Sequence, residues 1–156
     1  LKSDPAISTT IVVGDNPYGV AVDATYCWVA NLTSNNVTRI LKSNPAISTT
    51  IVVGINPYGV AVDEAYCWVA SESSNNITRI KKSDLSTTTI PIGDQSYGIA
   101  VDDIYCWVAN YGSNNVTRVL KSDFTMITIT VGTMSPNPYS LGDMTGYAYD
   151  NYANKP

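Results

Sequence analysis

The chain has 156 residues, 44% of them hydrophobic, with 9 basic and 13 acidic side chains and a net charge of −4. That length suits one domain with a core of its own, and the acidic balance speaks against nucleic acid, whose binding needs a basic stripe. Histidine is absent, which removes the usual general base near neutral pH and the commonest metal ligand, and no run reaches the roughly 20 apolar residues of a membrane-spanning helix.

In chain order, the first feature is the run Leu1-Lys2-Ser3-Asp4-Pro5-Ala6-Ile7-Ser8-Thr9-Thr10-Ile11-Val12-Val13-Gly14, which returns almost unchanged from Leu41 and again, more altered, from Lys81 and Leu120. A fixed period of about 40 residues marks an array of one supersecondary unit. The repeats are read as 1–40, 41–80, 81–119 and 120–156, within a single domain spanning 1–156. Because the chain opens inside a repeat without Met or a signal peptide, it is expected to be a processed protein or a piece of a longer one.

Ala6 to Val13 reads as the fourth strand of a blade, and complete sets follow from Tyr18, Tyr58 and Tyr97. In the second set, Tyr58–Val62 is a short apolar run closed by Asp63-Glu64-Ala65. Tyr66–Ala70 is a β-branched and aromatic run that ends in the turn-rich Ser71–Asn75. Asn76–Ile80 alternates polar and apolar residues, and Thr87–Ile92 is closed by Gly93. Punctuation about every ten residues leaves helices no room to nucleate. Four antiparallel strands of about five residues per 40-residue repeat are the blade of a β-propeller. Strands one and two are apolar at consecutive positions, as expected of a sheet covered on both faces.

From Tyr139 the consensus gives way to Ser140-Leu141-Gly142-Asp143-Met144-Thr145-Gly146-Tyr147-Ala148-Tyr149, which reads as a terminal cap. The expected architecture is all-β: a propeller of four blades in which the N-terminal strand completes the last one and removes an exposed edge. A ring shared between two chains, or the tail of a larger propeller, is the alternative.

Tyr105-Cys106-Trp107-Val108-Ala109-Asn110-Tyr111-Gly112-Ser113-Asn114-Asn115-Val116-Thr117-Arg118-Val119, with the Gly-x-x-Pro-Tyr-Gly-Val-Ala-Val-Asp element from Gly54 to Asp63, resembles the YVTN-type β-propeller repeat. The resemblance covers nearly the whole chain and implies a secreted or cell-surface protein of bacterial or archaeal type. Streptogramin (virginiamycin B) lyase propellers are similar more distantly. That kinship implies a catalytic His and a metal at the channel mouth, and this chain has no His to supply.

Candidate ligand-binding residues are those expected to converge at one mouth of the channel: Tyr18, Tyr58, Tyr97 and Tyr139 with Asn16, Asn56 and Asn137, beside the Asn-rich turns. Tyr and Asn together stack on and hydrogen-bond a sugar or peptide; the structural reading has the same tyrosines packing between blades. Trp28, Trp68 and Trp107 are expected to wedge between blades, and Asp23, Asp63 and Asp102 to cap their own turns. Arg39, Arg79 and Arg118 are expected to pair with those aspartates or to bind carbonyls in a neighbouring loop. Asn31, Asn36, Asn76 and Asn115 stand in Asn-x-Thr triplets and are candidate glycan acceptors.

Cys27, Cys67 and Cys106 recur once per repeat and read as small buried hydrophobes, too far apart for disulfides. No catalytic residue, metal site or cofactor is expected. The function expected is a non-enzymatic extracellular structural or binding scaffold. A streptogramin-lyase-like enzyme and a lectin-like glycan or peptide binder are the alternatives. Partners expected are a glycan or protein ligand, or further copies of the chain joined by strand pairing.

Overall fold

Twelve strands make up a computed structural model that describes residues 10–131. They are β1 (Pro17–Val22), β2 (Tyr26–Asn31), β3 (Asn36–Leu41), β4 (Ser48–Val52), β5 (Pro57–Val62), β6 (Tyr66–Ser71), β7 (Asn76–Lys81), β8 (Thr87–Pro91), β9 (Ser96–Val101), β10 (Tyr105–Asn110), β11 (Asn115–Leu120) and β12 (Met126–Thr130). They form three four-stranded antiparallel sheets ordered β1-β2-β3-β4, β5-β6-β7-β8 and β9-β10-β11-β12. Each run of the second repeat lies where the sequence placed it, to within a residue at most ends.

The blade count is a correction. Three blades form among the described residues, against four expected, and no sheet closes the chain on itself. The fourth would have needed Ala6–Val13 to pair with the set from Tyr139. Within that segment Thr10–Val13 form no strand, and Val12 is 86% exposed. The rest of the segment, with Asn137, Tyr139 and the terminal cap, lies outside the described residues.

Inside a blade the register is repeated residue for residue. Cys27 faces Ile40, Trp28 faces Arg39 and Val29 faces Thr38 in the first blade, and Cys67–Ile80, Trp68–Arg79 and Val69–Thr78 follow in the second. Successive side chains of a strand point to opposite faces, so each second strand has a Trp/Ala face and a Cys/Val face.

The core lies between sheets. Trp28, Val37 and Ile51 of the first blade pack on Cys67, Val69 and Ile80 of the second. Trp68, Ala70, Ile77 and Ile90 of the second pack on Ile99, Cys106, Val108 and Val119 of the third. One rule generates both interfaces: the Trp face of each blade rests on the Cys face of the next. Trp28 and Trp68 are the wedges that the sequence suggested. Cys67 and Cys106 are fully buried, Cys27 is half-buried, and all three thiols are free. Burial pushes these thiols above their ordinary pKa, so they stay protonated and unreactive where they are covered.

The inner strands β1, β5 and β9 run side by side. A Cβ on Gly19 would collide with the Tyr58 carbonyl, and one on Gly59 with the Tyr97 carbonyl, so glycine is what lets neighbouring blades approach there. At the outer side, Leu85 and Phe124 hold left-handed backbone (φ 62° and 64°). This is unusual for bulky residues. Each extends its side chain onto the core of the preceding blade, and Phe124 also covers the Arg79 guanidinium at 4.5 Å.

Candidate functional site

Two ends of the stack carry different chemistry. At one end the blade-joining loops meet the turns between second and third strands, as the sequence implied. Asn16, Asn56 and Gln95 all have left-handed backbone (φ 56°, 53° and 52°), a conformation Asn tolerates best among non-glycine residues. Their carbonyls accept the amides of Leu32, Glu72 and Tyr111, each at 2.9 Å. The hydroxyls of Ser34 and Ser113 accept the amides of Asp15 (2.7 Å) and Asp94 (2.9 Å), and Ser74 accepts that of Ile55. Across blades, Asn35 Oδ1 accepts the Asn56 amide at 2.9 Å and Asn75 Oδ1 that of Gln95 at 3.0 Å. Asn16 and Asn56 thus hold turns, and the Asn56 side chain donates to Ser73 Oγ at 2.9 Å.

Immediately after these turns each inner strand is irregular. Pro57 opposes Ser71 and Gly59 opposes Ala70, which leaves Tyr58 as an extra residue; similar shifts occur at Tyr18 and Tyr97. A β-bulge re-aims the side chain it carries. The three tyrosines therefore line up across the blades: Tyr18 and Tyr58 have ring centroids 4.7 Å apart, and Tyr58 and Tyr97 are 4.5 Å apart. Tyr111, from the turn after β10, extends the row at 5.7 Å. Most contacts are edge-on or tilted, the arrangement that ring quadrupoles favour.

The end members Tyr18 and Tyr111 are exposed and the middle two half-buried. Burial raises the Tyr58 pKa, the Glu72 carboxylate and Tyr18 add to it, and the Tyr97 hydrogen bond opposes them. Tyr58 is therefore a neutral phenol at physiological pH, able to donate and accept hydrogen bonds. Tyr111 was not singled out by the sequence, because Leu32 and Glu72 stand in its place in the other repeats.

At the opposite end each aspartate after the first strand caps its turn. Asp23 Oδ1 accepts the amides of Thr25 (2.8 Å) and Tyr26 (2.7 Å), and Oδ2 accepts the Trp28 indole N–H (3.1 Å). Asp63 and Asp102 repeat all three bonds. The cationic partner is not the expected arginine. Arg39, Arg79 and Arg118 lie over Tyr26, Tyr66 and Tyr105 at 4.4, 4.4 and 4.3 Å, where the ring face attracts a guanidinium; among the described residues Arg39 also reaches a neighbouring-loop carbonyl, the other partner expected, that of Lys82, at 3.4 Å.

A lysine from the next blade takes the carboxylate instead. Lys82 Nζ is 2.6 Å from Asp23 Oδ2, and Lys121 Nζ is 2.9 Å from Asp63 Oδ2. Burial works to raise these acids, but the lysine, the indole and the backbone amides outweigh it and hold both well below the usual carboxylate range. Between the second and third blades this end opens into a cleft of about 620 Å³ with Asp63, Glu64, Asp102, Asp103 and Lys121 on its walls. No group of three or more His, Cys, Asp or Glu side chains suited to a metal occurs among the described residues.

The candidate glycan acceptors differ in accessibility. Asn31 is 0% exposed, with Nδ2 donated to Asn36 Oδ1 (2.7 Å) and Thr38 Oγ1 (2.8 Å), so this fold leaves no room for a glycan there. Asn36, Asn76 and Asn115 are partly exposed at the starts of third strands, where Asn36 and Asn115 donate to the Ser34 and Ser113 carbonyls.

No protein-family model matches the sequence, and no curated protein sequence matches it. Solved structures do match in fold. Hydrazine synthase from Kuenenia stuttgartiensis superposes with a TM-score of 0.73 at 17% identity, over 83% of this chain and 40% of that one. Virginiamycin B lyase from Staphylococcus aureus gives 0.66 at 19%, over 75% and 42%. The nidogen/laminin complex gives 0.66 at 10%, over 80% and 50%. This chain therefore spans about two fifths to one half of the structures it matches. At such identities the likeness shows the fold alone, a stack of β-propeller blades.

Proposed function

We propose that the chain is a non-enzymatic, extracellular propeller module that binds an extended glycan or peptide along its tyrosine row. The observation that carries this reading is the row itself. Four rings at spacings of 4.5 to 5.7 Å make a continuous aromatic track, and such a track suits a ligand of repeated units better than a single small molecule. The absence of His from all 156 positions favours a scaffold over an acid–base enzyme. Neighbours of the same fold come from both an enzyme and a matrix protein complex, so fold alone does not decide.

Glycan and peptide arrays probed with the full chain test the reading. Binding weakened at least tenfold by Tyr58→Ala and by Tyr97→Ala, with the strand spectrum intact, supports it; blank arrays overturn it. The alternative reading is a streptogramin B lyase activity, since virginiamycin B lyase shares the fold. Incubation with a streptogramin B compound, with and without magnesium, is expected to leave it intact, and turnover would replace the scaffold reading.

A further inference from the structure

The rule that joins the blades leaves one unused face at each end of the stack, and the two faces are complementary. In the first blade Val20 and Val22 are 64% and 61% exposed and Cys27 and Val29 half-buried. Their counterparts Val60, Val62, Cys67 and Val69 pack against the blade before them. In the third blade Trp107, Ala109 and Val116 are only partly covered and Ile129 is 38% exposed, whereas its counterparts Ile51 and Ile90 are 7% and 3% exposed beneath the blade after them. Among the described residues, the stack thus ends in a Cys face and a Trp face that are each less covered than their counterparts inside it.

The charges match as well. Lys42 makes the same contact to its own blade as Lys82 does: Lys42 Nζ donates to the Asp23 carbonyl (2.9 Å) and Lys82 Nζ to the Asp63 carbonyl (2.6 Å). Lys82 also has the carboxylate of the preceding blade, whereas Lys42 is exposed and makes no ion pair among the described residues. Asp102 holds its own turn and indole as Asp23 and Asp63 do, yet it too is exposed, with no lysine ion pair among the described residues. Among the described residues, then, Lys42 at one end lacks a carboxylate partner and Asp102 at the other lacks a lysine ion pair.

We propose that the less covered Trp face of the third blade binds the less covered Cys face of the first blade of a second copy of this chain, with Asp102 receiving Lys42 of that copy. The occupant is a second copy because the chain itself shows twice what covers each face, down to the lysine–aspartate pair. This contact joins sheet faces rather than strand edges, and it is heterologous: it either closes a ring or continues head to tail. It is independent of any ligand on the tyrosine row.

The experiment is the solution mass of the full chain by light scattering and sedimentation, across concentration. The mass is expected to rise to at least two copies, with Cys27 becoming as protected from a thiol reagent as Cys67. Val29→Arg on one face and Ala109→Arg on the other are each expected to give single chains. An equal mixture of the two variants is expected to recover a dimer, because each retains the face that the other has lost. Lys42→Glu, on an exposed side chain that leaves the fold intact, is expected to weaken association at least tenfold. A wild-type chain that stays single at all concentrations overturns the proposal. An assembly untouched by all three variants, or a variant mixture that stays single, overturns it equally.

Discussion

The central blade and the two outer blades are built from nearly the same strands in different surroundings. β6 is buried along all but its first residue, whereas β2 and β10, each Tyr-Cys-Trp-Val-Ala-Asn, bury their positions largely on one side only. β2 covers its Trp side and β10 its Cys side. The difference teaches that the repeat does not carry its own core: a blade's hydrophobic surface is satisfied by the next copy, and local sequence says only which surface that is.

The largest expected test of this contrast is removal of a wedge. Trp68→Ala should cost about 3–5 kcal/mol, the usual range for emptying a buried aromatic site, and Trp107→Ala at most about half as much in dilute solution. Equal costs in chemical denaturation would erase the distinction between covered and open faces. The ion pair comes next. Lys121→Met strands the Asp63 carboxylate at about 16% side-chain exposure and should cost about 1–3 kcal/mol. Lys42→Met, at an open end, should stay within about 0.5 kcal/mol.

A smaller effect runs the other way and concerns a defect in the central blade. Asn31 and Asn110 each donate to a third-strand Asn and Thr, but the same place in the second blade is Ser71. Ser71 Oγ, Asn76 Oδ1 and Thr78 Oγ1 are buried without protein partners there. Ser71→Asn should restore the pattern and stabilise by about 1 kcal/mol. An unchanged or lower melting temperature would show that the site has adapted to serine.

The acid response sharpens the contrast further. Asp23 and Asp63 have folded pKa values below their unfolded ones, so their contribution is fully present above the unfolded carboxylate pKa of about 4. It is lost as pH falls through the folded values. Asp63→Asn should flatten that part of the stability profile below about pH 4; a profile identical to wild type would remove the carboxylate from the account.

Much of the fold was legible because Gly, Pro and Asn punctuate every strand and the repetition confirms each boundary. Tyr58–Val62 and Asn76–Ile80 needed no tertiary information. The pairing of Lys82 with Asp23 was not legible, because the two stand in different repeats and nothing local selects lysine over Arg39. The sequence left the arginine a carboxylate or a loop carbonyl, and packing laid it on an aromatic face, with Arg39 also on the Lys82 carbonyl. The tyrosine row was half visible. Tyr18, Tyr58 and Tyr97 recur in phase, but the bulges that align them depend on strand register. Tyr111 has no counterpart in the other repeats, so only the fold recruits it. The vacancy at Ser71 emerges only when its neighbours' hydrogen bonds are known.

Cys27, Cys67 and Cys106 share the same flanking residues, Tyr before and Trp-Val-Ala after, so differences in their labelling report on blade stacking and nothing local. Measured residue by residue with a thiol reagent in dilute solution, Cys27 should label much faster than Cys67 and Cys106, which should be similarly slow. Equal rates at all three would contradict face-to-face packing of the Trp side of one sheet on the Cys side of the next.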